Sequence, residues 1–183
     1  MEQEELIRAL EAILFAAGEP VSVSRLVQSL ACDEQELRQA ARALSDELAF
    51  ARRGIRVLEL GESYQMCSAP EQAEAVTRTL ETRKPPRLSA SQLETLTIIA
   101  YYQPATRAYV EQLRGVDSSY TVNALLTKKL IEECGRLNVP GRPILYRTTT
   151  DFLRTFGLRS LDELPDRVDL TAFQGGFQRV YWR

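Results

Sequence analysis

The side chains that usually carry catalysis are scarce in this 183-residue chain. It contains no histidine, which removes Ser-His-Asp and Cys-His nucleophilic catalysis together with the commonest metal ligand. Cys32, Cys67 and Cys134 are odd in number, far apart and never in CxxC spacing. They read as buried or half-buried thiols of a reducing compartment, not as a zinc site or a disulfide framework. Adjacent carboxylates occur at Glu4-Glu5 and Glu132-Glu133. Acid–base work needs such groups in a cleft that perturbs them, and here a helix face or strand with solvated charges accounts for both pairs. No GxxxxGK[ST] phosphate loop, GxGxxG turn or GxSxG elbow is present. These residues argue against an enzyme and imply neither a cofactor nor a small-molecule substrate.

The chemistry that remains is contact chemistry. Asn138-Val139-Pro140-Gly141-Arg142-Pro143 is the sharpest local motif. Pro140-Gly141 suits a type II turn, and Pro143 cannot donate to a strand ladder. The same six residues also fit a rigid, exposed loop that presents Arg142 to a partner. Arg107, Tyr109 and Arg114, with Tyr101-Tyr102 just before them, combine the residue types that anchor interfaces. Each tyrosine taken singly also fits half-burial at a helix end.

The elements around these residues are legible. Ser89 and Gln92 form a capping box that opens a helix through Leu93, Leu96, Ile99 and Ala100 to Tyr102. The residue before Pro104 is pushed out of the helical region, which ends that helix near Tyr102. Thr106 caps a helix over 107–114, with Val110 and Leu113 inward and Gly115 after its end. Asp117 or Ser118 caps a third, with Val122, Leu125, Leu126 and Leu130 on one face. Strands are expected over 131–136 and 144–149, then a closing helix with Phe152, Leu153 and Phe156, stopped by Gly157. Helix, helix, helix, strand, turn, strand is the order of a winged helix.

The first half repeats that order. Leu6, Ile7, Leu10, Ile13, Leu14 and Ala17 make one apolar stripe, stopped by Gly18-Glu19-Pro20. Ser22 or Ser24 caps a short helix carrying Leu26, Val27 and Leu30. Asp33 to Glu36 opens a third as a capping box, with Leu37, Ala41, Leu44, Leu48 and Ala51 facing inward, and Arg52-Arg53-Gly54 ends it. Two strands follow around Gly61-Glu62-Ser63, and Pro70 starts a last helix through Val76 and Leu80. Leu10-Glu11-x-Ile13-Leu14 with Pro20 and Ser24-Arg25 parallels Leu93-Glu94-x-Leu96 with Pro104 and Thr106-Arg107. The fold class is therefore mainly α with small β-hairpin wings (α+β), as two tandem winged-helix domains. The expected domains are 1–80 and 88–158, with a charged, proline-bearing linker at 81–87 and a tail over 159–183. Domains this small are marginal alone, which implies support from a partner, a second protomer or each other.

The net charge of −2 conceals an asymmetry. Residues 1–80 hold 8 basic against 14 acidic side chains, and residues 81–158 hold 11 against 7. The acidic start lacks the basic region of a signal peptide, and the charge-free run 95–106 is too short to span a bilayer. A soluble intracellular protein with no membrane partner is expected. In a DNA-binding winged helix the third helix enters the major groove. Here that helix offers Asn123, but no cation before Lys128-Lys129, and its counterpart in the first half is acidic. Phosphate contacts supply most DNA affinity, so any DNA contact is expected to be weak or indirect. A winged-helix DNA-binding transcriptional regulator remains the alternative.

The run Leu88-Ser89-Ala90-Ser91-Gln92-Leu93-Glu94-Thr95-Leu96, with Ile98-Ile99-Ala100-Tyr101-x-Gln103-Pro104-x-Thr106-Arg107, strongly resembles the segregation and condensation protein B family. So do Arg114 to Ser119, Asn138 to Pro143 with Leu145-Tyr146, Thr148-Thr149, and Phe156-Gly157-Leu158 through Ser160-Leu161 to Leu164-Pro165. The resemblance spans about residues 1–165 and is densest in the second half. It implies tandem winged-helix domains and a non-enzymatic partner of a kleisin, segregation and condensation protein A, and through it of an SMC ATPase. It further implies a homodimer formed through the first domain, a kleisin held by the second, and a cytoplasmic, nucleoid-associated role in chromosome condensation and segregation. Transferred motif positions give six candidate partner contacts: Tyr101, Arg107, Tyr109, Arg114, Arg142 and Tyr146. The Tyr102 position and the tail from Val168, with Phe173, Phe177, Tyr181 and Trp182, depart from the family pattern.

Overall fold

A computed structural model describes residues 2–80 and 87–165. Nearly all of the expected linker and most of the tail, including its four aromatic residues, lie outside the described residues. The chain divides into two compact units on either side of residue 85.

In the first unit the order is α1 (Gln3–Ala17), β1 (Val21–Ser22), α2 (Val23–Leu30), α3 (Glu34–Phe50), β2 (Ile55–Glu59), β3 (Ser63–Ser68), a 3-10 turn and α4 (Ala73–Thr79). The apolar stripe of α1 meets α3. Leu6, Leu10 and Leu14 pack with Leu37, Ala40, Ala41, Leu44 and Leu48 in one cluster that also takes in Leu26, Leu30, Tyr64 and Met66. Each end is set by chemistry visible in the chain. Ser22 accepts from the Arg25 amide to open α2, and Asp33 and Glu36 close a reciprocal capping box on α3.

The second unit repeats this plan: α5 (Ala90–Tyr102), β4 (Ala105–Thr106), α6 (Arg107–Arg114), α7 (Ser119–Thr127), β5 (Ile131–Arg136), β6 (Ile144–Thr148) and α8 (Thr150–Phe156). Here α5 is covered by α6, α7 and β6. That is why Thr95, Leu96, Ile98, Ile99 and Ala100 are all buried instead of a single stripe. Ser89 with Gln92 forms the expected capping box, Thr106 accepts from the Tyr109 amide, and Gly115 ends α6 in the left-handed region.

Both sheets have three antiparallel strands, ordered β1-β3-β2 and β4-β6-β5. The short strands β1 and β4 were not anticipated. Two residues cannot show an alternation, and each strand exists only by pairing with the central wing strand. Tyr64 lies between Val21 and Glu59, and Tyr146 holds the same place between Ala105 and Glu133. Strand β5 carries a register shift between Glu133 and Gly135. With small sheets and hairpin wings on helical bundles, each unit is a winged helix.

Three expectations need correction. Ala51 is exposed and caps α3 instead of packing inward, and Ala40 takes the inner position. Arg52-Arg53-Gly54 does end α3, and the left-handed residue there is Arg52, at φ 48°. The residues after Pro70 form a 3-10 turn and a short helix whose Val76 is only half-buried and whose Leu80 is exposed, because little of the unit packs beneath them. Helix α7 ends at Thr127, so Leu130 reaches the core from the following turn and Thr121 supplies the buried position within the helix.

Leu44→Ala is expected to lower the unfolding free energy by about 3 kcal/mol in a denaturant titration, whereas Leu80→Ala should shift it by less than about 0.5 kcal/mol.

Candidate partner-binding surface

Four of the six candidate residues converge on the corner where α5 turns through β4 into α6. Tyr101, half-buried on the last turn of α5, donates its hydroxyl to the Pro165 carbonyl at 2.8 Å. Its neighbour Tyr102 meets Tyr109 edge-on, with ring centroids 5.6 Å apart and planes at 68°. Arg107 opens α6, exposed, with its guanidinium 3.5 Å from Glu111 one turn on.

Tyr146 joins this corner from below. It is buried on β6, directly opposite Ala105, two residues before Arg107. Burial raises its phenol pKa, and the Glu133 carboxylate adds to that, while Arg107 and Arg136 oppose it. Its counterpart Tyr64 is raised in the same way, by burial first and then by Glu59.

The other two candidates lie elsewhere. Arg114 ends α6 with its side chain only 6% exposed. It reaches Glu94 on α5 at 3.2 Å and donates to the Ser118 hydroxyl at 2.7 Å. Ser118, itself fully buried, takes the Glu111 carboxylate on its amide. Arg114 thus clamps α5, α6 and the entry to α7 together. Arg142 is exposed in the turn of the wing. The Arg142 amide donates to the Val139 carbonyl at 2.9 Å, with Gly141 at φ 83°, the type II turn expected of Pro140-Gly141.

Sequence reasoning missed several residues. Thr95 on α5 donates its hydroxyl to Thr121 on α7 at 3.0 Å, a buried polar link between the two helices. Threonine at those positions reads as an interruption of an apolar face, and nothing local announces the partner. Val116, Tyr120, Leu137 and Val139 are large apolar side chains left exposed. The loop and helix signals around them were legible, but their exposure was not. In the first unit Arg38 of α3 gathers Glu34, Glu59 and Glu62, tying the acidic third helix to its own wing.

Cys32, Cys67 and Cys134 are free and half-buried. Among the described residues no group of three or more His, Cys, Asp and Glu is placed to hold a metal ion, and no helix is long and apolar enough to cross a membrane.

Arg114→Ala strands Glu94 and Ser118 and is expected to cost about 1–3 kcal/mol, read as a lowered melting temperature. Arg142→Ala should change stability by less than about 0.5 kcal/mol. Both raised phenols favour the neutral form in the fold. Their contribution is complete below about pH 10 and is lost as pH climbs from the ordinary tyrosine value through the raised ones. Following the tyrosinate absorbance against unfolding should show Tyr146→Phe flattening that alkaline loss.

Comparison with known proteins places this geometry. Residues 8–167 match the family described as segregation and condensation complex subunit ScpB. Segregation and condensation protein B of Syntrophotalea carbinolica is 45% identical over 171 residues, covering 93% of this chain and 86% of that protein. The protein of the same name from Ruminiclostridium cellulolyticum is 41% identical over 165 residues, covering 90% and 87%. Among solved structures, a dimer of an ScpB N-terminal domain complexed with an ScpA peptide is 27% identical. It covers 42% of this chain and 95% of that one, with a TM-score of 0.40. By the extent of the family match and the identity to these relatives, the chain belongs to the ScpB family of segregation and condensation complex subunits.

Proposed function

We propose that this protein is a non-enzymatic accessory subunit of a condensin-like complex, acting in the cytoplasm on the nucleoid during chromosome condensation and segregation. The observation that carries the proposal is the family match over residues 8–167. In this reading the chain is a homodimer joined through its first unit. Its second unit holds the kleisin, segregation and condensation protein A, and through that subunit the SMC ATPase. ATP hydrolysis belongs to the partner, in keeping with a sequence that has no histidine and no phosphate loop.

Two features support the division of labour. Both exposed phenylalanines among the described residues, Phe15 at 76% and Phe50 at 93%, are in the first unit. Aromatic side chains left in water mark surfaces that another protein covers. The second unit supplies the tyrosine and arginine corner around Tyr102, Arg107 and Tyr109, residue types that dominate interface energetics.

The full chain should sediment as a dimer and capture the purified kleisin of the same source. Phe15→Ser with Phe50→Ser should shift it toward monomer without loss of helical signal, since neither side chain contributes to the core. A monomeric wild type with no affinity for the kleisin, but tight and salt-sensitive binding to one particular duplex, would sink the proposal in favour of a transcriptional regulator.

A further inference from the structure

The wing of the second unit ends in a turn that is both rigid and unfinished. Its backbone is closed by the Leu137 amide on the Pro143 carbonyl at 2.9 Å, the Val139 amide on the Leu137 carbonyl at 3.0 Å, and the Arg142 amide on the Val139 carbonyl at 2.9 Å. The Arg136 guanidinium braces it from the side, donating to the Arg142 carbonyl at 3.2 Å. A tip fixed this firmly loses little conformational freedom when something binds.

What the tip shows to solvent is unusual for this unit. Leu137 and Val139 are 42% and 44% exposed. In the same unit Arg107, Arg114, Arg147, Arg154 and Arg159 each have a carboxylate partner. Among the described residues Arg136 and Arg142 have none, and of the unit's other arginines only Arg87, at its start, shares that state. Two uncompensated guanidiniums therefore flank two apolar side chains on a preformed knob.

We infer that this tip, Arg136 with Leu137, Val139 and Arg142, is the grip for an extended polypeptide segment that carries carboxylates on either side of apolar side chains. Guanidinium forks match carboxylates in two-point geometry, and the apolar pair supplies a surface to be buried between them. A nucleic-acid strand fits less well. Phosphate binding grows with the number of cations along a track, and here two cations are separated by leucine, valine and proline. The inference rests on the proposed function in one respect: the kleisin is taken as the polypeptide that brings this segment.

The test uses the full-length dimer and the purified kleisin of the same source, with a random duplex DNA in parallel. Arg136→Glu with Arg142→Glu, and separately Leu137→Ser with Val139→Ser, should each weaken kleisin binding about tenfold or more. Thermal unfolding should be unchanged for Leu137→Ser with Val139→Ser, whose side chains are exposed at the tip, and lowered slightly for the arginine pair, which also loses the Arg136 brace on the Arg142 carbonyl. For the wild type, affinity should fall as salt is raised. Wild type binding the kleisin and both variants binding it equally well would overturn the inference and leave the proposed function standing. Loss of duplex binding with kleisin binding intact would also overturn it, in favour of a nucleic-acid contact. A wild type that fails to bind the kleisin at all would instead remove the proposed function on which the inference rests.

Discussion

Much of the second unit depends on how the end of one helix is fastened to one strand. Gln103 follows α5, in extended conformation. Its side-chain carbonyl accepts both the amide and the hydroxyl of Thr148, at 2.7 and 3.0 Å. The amide nitrogen of the same side chain donates back to Ala100 at 3.1 Å. One residue thereby closes the helix, sets the height of β6 against it and leaves β4 to pair with that strand. Without the fastening, the tyrosines of the helix end and the wing would have no common reference. Charged clamps act further out, where Arg114 joins α6 to α5 and Arg147 on β6 meets Glu132 across the hairpin.

The first unit solves the same problem from the opposite side. There the glutamine is on the strand: Gln65 of β3 donates to the Gly18 carbonyl at the end of α1 at 3.1 Å. The buried tyrosine beside an acidic neighbour is kept in both units, as Tyr64 with Glu59 and Tyr146 with Glu133. What differs is the third helix. It runs 17 residues in the first unit and 9 in the second, and in the first it is bound to its wing through Arg38 and three carboxylates. An apolar framework common to both copies thus carries two different faces, one acidic with exposed phenylalanines, the other with tyrosines and unmatched arginines.

Local chemistry was read well from the chain because its causes are local. Asp33, Ser89, Thr106 and Pro140-Gly141 act within three or four residues, and each does in three dimensions what its type and spacing implied. The tandem plan was legible for the same reason, since a repeated order of caps and stripes needs no tertiary knowledge. Features made by distant partners were not legible. The strands at Val21 and Ala105 exist because β3 and β6 accept them. Thr95 and Thr121 look polar until each becomes the other's partner. Arg114, proposed as a contact residue from its type, is enclosed by Glu94 and Ser118, a consequence of helix packing that no local signal carries. The corner of Tyr101, Tyr102, Arg107 and Tyr109 was foreseeable in position, and Leu137 and Val139 at the wing were foreseeable only as turn residues.

The irregularity in β5 has an effect on how the molecule meets its neighbours. β5 is an outer strand, and a regular outer strand offers its free amides and carbonyls to any passing backbone. The shift between Glu133 and Gly135 breaks that ladder halfway, and Glu132, Glu133 and Arg136 place charges along what is left. Both features disfavour the addition of a second sheet here. Association on this side is thereby biased toward side chains, which can discriminate among partners, and away from main chain, which cannot. The bulge is in this sense a guard against indiscriminate sheet growth.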